Sequence, residues 1–184
     1  MSTRSLSEQI PVCNDLFVLL SNPIYLLTMM GLTTLMFAAG GLQFWTISYM
    51  QVVLFMDPIQ SQQIFVVVMF SSMLPGVAIG STLADNLGGY KGKGMTSALS
   101  LCCVFGSLAT FFSLALSRCF DPDTFVYLLW CFFFFGAGCM PISAGIIVSS
   151  VPKNASNSGS ALYGILQNIL GLSLSPVLSG HIME

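Results

Sequence analysis

Between Leu16 and Met56 the chain carries no Asp, Glu, Lys, Arg or His, over 41 residues. A hydrocarbon core about 30 Å thick is crossed by roughly 20 apolar residues in a helix. The run is long enough to span a bilayer with apolar sequence left over. Four more long apolar segments follow it, separated by short polar knots. The fold class expected is an all-α membrane protein, because a helix satisfies its own backbone hydrogen bonds in lipid. Only 7% of the residues are charged and 55% are hydrophobic. Soluble domains carry about 25% charged residues, and one soluble core of this size would not hide so much apolar surface. Five Lys+Arg against seven Asp+Glu exclude a basic footprint for nucleic acid.

The punctuation divides the chain into a tail over 1–21 and a transmembrane region over 22–184. The tail is cytoplasmic or lies along the interface through Ile10, Val12, Leu16, Phe17, Leu19 and Leu20. Five crossings are predicted over about 24–49, 62–84, 95–116, 124–150 and 160–182. Asn22-Pro23 marks the first helix start, since proline is tolerated in the first turn. Asp57-Pro58 is read as the turn that ends the first hairpin. Pro75, Pro141 and Pro176 fall inside the second, fourth and fifth segments and are expected to kink them. No secretory signal peptide is evident: residues 1–15 are polar and mixed in charge. Six cysteines, none in a Cys-x-x-Cys pair, read as small hydrophobes rather than as a disulfide framework.

Lysine and arginine counts set the orientation. With five crossings, Arg4, Lys91, Lys93 and Lys153 share one side and Arg118 stands alone on the other. The N-terminus is therefore expected in the cytoplasm. The Asn154-Ala155-Ser156 sequon falls on the same side and is expected to stay unglycosylated.

The polar knot richest in chemistry runs Gly80-Ser81-Thr82-Leu83-Ala84-Asp85-Asn86-Leu87-Gly88-Gly89-Tyr90-Lys91-Gly92-Lys93. An Asp at a helix end keeps its charge cheaply beside helix N-termini or cations. Gly88 and Gly89 permit a tight reversal with positive φ. Lys91 and Lys93 sit where cytoplasmic loops carry positive charge. Such a cluster can latch two helix bundles in one conformation and free them in another; the plainer reading is a hairpin loop with topogenic lysines.

This loop resembles the signature of the major facilitator superfamily, Gly-x-Leu-Ala-Asp-Arg-x-Gly-Arg-Arg. Leu83, Ala84, Asp85 and Gly88 match it, and Lys91 and Lys93 supply a displaced basic flank. Ser81 stands where the first Gly is usual and Asn86 where Arg or Lys is usual. Further stretches resemble spinster-like members. Asn22 to Gly31 and Ala39-Gly40-Gly41-Leu42-Gln43-Phe44-Trp45 are similar to their seventh helix. Val151 to Leu162 and Gly171-Leu172-Ser173-Leu174-Ser175-Pro176-Val177-Leu178-Ser179-Gly180 are similar to the loop into their eleventh helix and its core. The resemblance covers most of 22–182. It implies helices seven to eleven of a twelve-helix plan: a partial six-helix half-bundle, truncated before a sixth helix and lacking the first half. It also implies a secondary transporter working by alternating access, with Asp85, Gly88, Gly89, Lys91 and Lys93 in a cytoplasmic latch. Its implied solute is a small organic or amphiphilic molecule, of lysolipid or sphingoid type.

Transporter sites lie near the bilayer midplane, so polar residues inside the segments are candidates to line a cavity. These are Gln43, Trp45 and Tyr49 on the first segment, Ser143 on the fourth, and Tyr163, Gln167 and Asn168 on the fifth. Each could instead staple helix to helix, as such groups do in membranes. No carboxylate or histidine sits mid-membrane, so this region offers no obvious proton-coupling group. An intramembrane enzyme is disfavoured, because no nucleophile–base pair, metal-ligand set or cofactor motif is present. The expected partners are the lipid bilayer, a missing N-terminal half or other helices, and a solute. The competing reading is a non-transporting multi-pass subunit or scaffold.

Overall fold

In the computed structural model, residues 19–90, 92–151 and 156–183 are described. Four long helices come first: α1 (Pro23–Val52), α2 (Pro58–Asn86), α3 (Lys93–Leu116) and α4 (Pro122–Ser150). A fifth rod is built from α5 (Ser156–Leu166), a π-helical stretch (Gln167–Ser173) and α6 (Leu174–Met183). The five predicted helical segments are thus present, and all five rods are long and apolar enough to span a bilayer. The described residues contain no strand.

Three of the helix starts share one device. Asn22, Asp57 and Asp121 are N-caps, and each is followed by proline in the first turn. The cap side chain accepts orphan backbone N–H groups, and the proline occupies a position whose N–H has no partner anyway. Asp57-Pro58 therefore opens α2 and is part of it, rather than only closing the preceding hairpin. This is why α2 begins four residues before the predicted 62. The predicted 1–21 tail lies outside the described residues up to 18; Leu19 and Leu20 are helical, and Leu19 is buried with Tyr25, Met29 and Ile147.

Membrane helices gain nothing from hydrophobic exclusion against lipid, so close backbone approach and hydrogen bonds hold them. The bundle follows that rule. Helix α4 is its centre, buried along most of its length, while the other rods present wide apolar faces outward. Helices α2 and α3 pack on α4, α1 packs on it from another side, and the fifth rod packs mainly on α1. On α2 the buried positions Val68, Ser72, Gly76, Gly80 and Ala84 recur every four residues and form a ridge of mostly small side chains. A Cβ added to Gly76 would run into the Phe134 carbonyl, and one on Gly80 into the backbone of Gly138. Gly138 in turn faces the Phe105 ring of α3.

At the other face, the fifth rod is sewn to α1. Ser175 donates to the Phe37 carbonyl, Trp45 Nε1 donates to Ser179 Oγ at 2.7 Å, and Gly40 and Gly171 allow the backbones to approach. Helices α2 and α4 run through Pro75 and Pro141 without a break in helical assignment. Pro176 lies three residues beyond the π stretch, where the wider turn has already altered the backbone bonding.

Candidate functional site

One end of the bundle gathers the start of α1, the end of α4, the start of α5 and the α2–α3 loop. Asn22 Nδ2 donates to the Ser150 carbonyl at 2.8 Å, and Tyr25 Oη donates to the Gly159 carbonyl at 2.8 Å. In the loop, Gly88, Gly89 and Gly92 have φ of 101°, 69° and 55°, the left-handed region that L side chains rarely adopt. A Cβ on Gly94 would collide with the Gly88 carbonyl, so the chain folds back on itself within a few residues. Asp85 is exposed at the end of α2. Lys91 and the side chain of Lys93 lie outside the described residues, as does Asn154.

The loop meets α4 through a residue the sequence reading did not single out. The Tyr90 ring covers Gly145, and its hydroxyl donates to the Pro141 carbonyl at 3.3 Å. Tyr90 packs with Ala84, Ala98, Ile142 and Ile146, a cluster that joins the ends of α2, α3 and α4. Burial, and then the charge of Asp85, hold its phenol above the ordinary value of 10.0. The signal was present in the sequence: an aromatic amid glycines, and a glycine on the facing helix.

The candidate cavity residues are distributed over several contacts. Trp45 is engaged with Ser179. Tyr49 stacks on Phe125 with ring centroids 5.0 Å apart and donates to the Cys119 carbonyl at 3.0 Å. Tyr163 packs half-buried beside the Tyr25 cluster. Gln167 opens the π stretch, and Asn168 Nδ2 donates back to the Gly164 carbonyl at 2.8 Å. Gln43 is half-buried on α1.

Ser143 lines a concave site. This is a half-open groove of about 550 Å³ walled by α1 and α3 and floored by α4. Its walls are largely apolar, with Gly31 and Gly106 leaving open space on opposite sides. At its floor Cys102 Sγ lies 3.2 Å from Ser143 Oγ, and Cys139 donates to the Cys102 carbonyl at 3.7 Å. Among the described residues no group of three or more His, Cys, Asp or Glu could hold a metal ion.

At the opposite end of the bundle Asp121 accepts from the Thr124 hydroxyl at 2.6 Å and from the Thr124 N–H at 2.9 Å. Those bonds hold its carboxyl below the ordinary value of 3.8.

Five stacked apolar rods with outward lipophilic faces and polar knots at their ends define the class: a multi-pass helical membrane protein. Comparison with protein-family models, with curated proteins and with solved structures returns no match.

Proposed function

We propose that the chain is the C-terminal half of a facilitator-type transporter, covering helices seven to eleven. One observation carries this reading. Helix α1 packs on the fifth rod, α2 packs on α4, and α1 meets α4. Exchanging α1 with α4 and α2 with the fifth rod turns the first pair into the second and leaves the third unchanged. Two three-helix repeats of inverted topology, the plan of each facilitator half, would make these same contacts, and this agreement supports the reading.

Under the same exchange α3, packed on α4, corresponds to a sixth helix packed on α1. The groove between α1 and α3 is the place such a helix would fill. In this reading the half-bundle rocks against a second half around a central cavity, and the N-terminus faces the cytoplasm. The solute is amphiphilic, of lysolipid or sphingoid type; few polar points among apolar walls suit it.

Reconstitution tests the reading. The 184-residue chain alone in liposomes should move neither a fluorescent lysophosphatidylcholine nor a fluorescent sphingosine. Together with a six-helix first half and a sixth helix it should move at least one. Transport by the isolated chain overturns the half-bundle assignment.

A scaffold subunit is the second reading, and one observation favours it. Trp45 and Tyr25 spend their polar atoms on bonds to neighbouring helices, and Tyr49 spends its own on the turn before α4. A complemented chain that is stable and assembled yet moves no solute decides for it.

A further inference from the structure

We propose that Tyr90 and Gly145 form a detachable clasp, which holds the α2–α3 loop on α4 and lets it go. The inference rests on the fold alone and stands whether or not the chain transports anything.

The loop's own hydrogen bonds are short in range. Leu87 N–H donates to Leu83, Gly88 N–H to Asp85, Gly89 N–H to Ala84 and Met95 N–H to Gly92, at 3.0–3.3 Å. They tie the loop to the last turn of α2 and the first turn of α3, not to the bundle behind it. Among the described residues of the loop, Tyr90 supplies a tie to α4. Its ring lies where a Cβ on residue 145 would stand, so the socket exists because that residue is glycine. The fit is one of shape, and the hydroxyl bond to Pro141 adds direction.

Its detachable character follows from comparison with Tyr25. Tyr25 has no exposed surface and a 2.8 Å bond to Gly159, as a permanent tie should. Tyr90 is half-buried, and its bond to Pro141 is longer, at 3.3 Å. Three left-handed glycines flank or adjoin it. They give the loop conformations that other residues lack once the ring withdraws. Two residues beyond Pro141, Ser143 meets Cys102 across the groove floor. Clasp and groove therefore share one stretch of α4.

Hydrogen–deuterium exchange of the full chain in lipid nanodiscs tests the proposal. Tyr90→Ala and Gly145→Ala should each speed exchange at Gly88, Gly89 and Met95 about tenfold or more, as expected when a local opening becomes cheaper. Amides in the middle of α2 and α4 should keep their wild-type rates. Tyr90→Phe, which keeps the ring, should change the loop rates less than about threefold. The Gly145→Ala arm discriminates by sign. Alanine is the better helix former, so without a clasp its effect would be slower exchange or none. Unchanged loop rates in both alanine variants overturn the proposal. If either variant unfolds, cysteines introduced as Tyr90→Cys with Gly145→Cys give a second reading. Mild oxidation in the bilayer should cross-link them, and failure to cross-link overturns the clasp.

Discussion

Gly80 of α2 lies against the backbone of Gly138 of α4, so closely that a Cβ on Gly80 would strike the Gly138 carbonyl. The contact sits in a ridge that runs from Val68 through Ser72, Gly76 and Gly80 to Ala84. With no hydrophobic effect to press helices together in lipid, this approach is a main source of α2–α4 adhesion. Gly80→Val should destabilise the bundle by about 1–3 kcal/mol, the usual effect of overpacking. Gly31→Ala should be neutral or slightly stabilising, because nothing lies within 4 Å of its added Cβ. Reversible unfolding in mixed micelles measures both, and equal effects would refute the ridge.

The seam between α1 and the fifth rod is polar. Ser175 donates to the Phe37 carbonyl, Trp45 donates to Ser179, and Ser179 donates back to the Ser175 carbonyl at 2.7 Å. Ser175→Ala and Trp45→Phe should each cost about 0.6 kcal/mol, the mean for such bonds in membranes, and at most about 1.7 kcal/mol. The double variant should cost less than the sum, since Ser175 and Ser179 are one turn apart on the same seam and the Ser179 hydroxyl is bonded to the Ser175 carbonyl. Strict additivity in a double-mutant cycle would show that the two bonds act separately.

Acid should open the start of α4. The folded Asp121 carboxyl is held below 3.8 by its two bonds from Thr124. A depressed pKa stabilises the folded cap above the unfolded value, and that contribution is lost as pH falls through the folded value. Exchange at the Thr124 amide, corrected for intrinsic pH dependence, should rise below about pH 4 and stay flat above it. Asp121→Asn keeps a capping oxygen without a charge, so it should remove the pH dependence and leave a cap.

The groove separates internal stability from assembly. Gly106 has nothing within 4 Å and faces the open space between α1 and α3. Gly106→Leu should leave unfolding of the five-helix chain unchanged or improved by up to about 1 kcal/mol, through helix propensity alone. In the proposed assembly the same change should prevent a sixth helix from seating and abolish transport. A fully active Gly106→Leu protein would show that the groove faces lipid.

How far the sequence carried can be read residue by residue. Its uncharged runs fixed five crossings to within a few residues, because bilayer thickness sets the length of an apolar helix. Asn22-Pro23 was legible as a helix start, whereas Asp57-Pro58 was read as a turn although the same chemistry makes it a cap. Gly136, Gly138 and Gly145 are glycines of α4 whose packing partners the sequence does not reveal. Gly138 receives Phe105 and the Gly76 backbone, and Gly145 receives Tyr90. Tyr90 itself was passed over in favour of the charges around it.

Length, spacing and charge act along the chain, so the sequence alone determined that it is helical, built for lipid, and divided by polar knots. Which helix lies at the centre, which polar side chains are consumed at seams, and where a groove is left open depend on atoms brought together across as many as 138 residues. Only the tertiary structure decided those, because adhesion in a bilayer comes from close fit and matched hydrogen bonds, and neither has a signature in hydropathy.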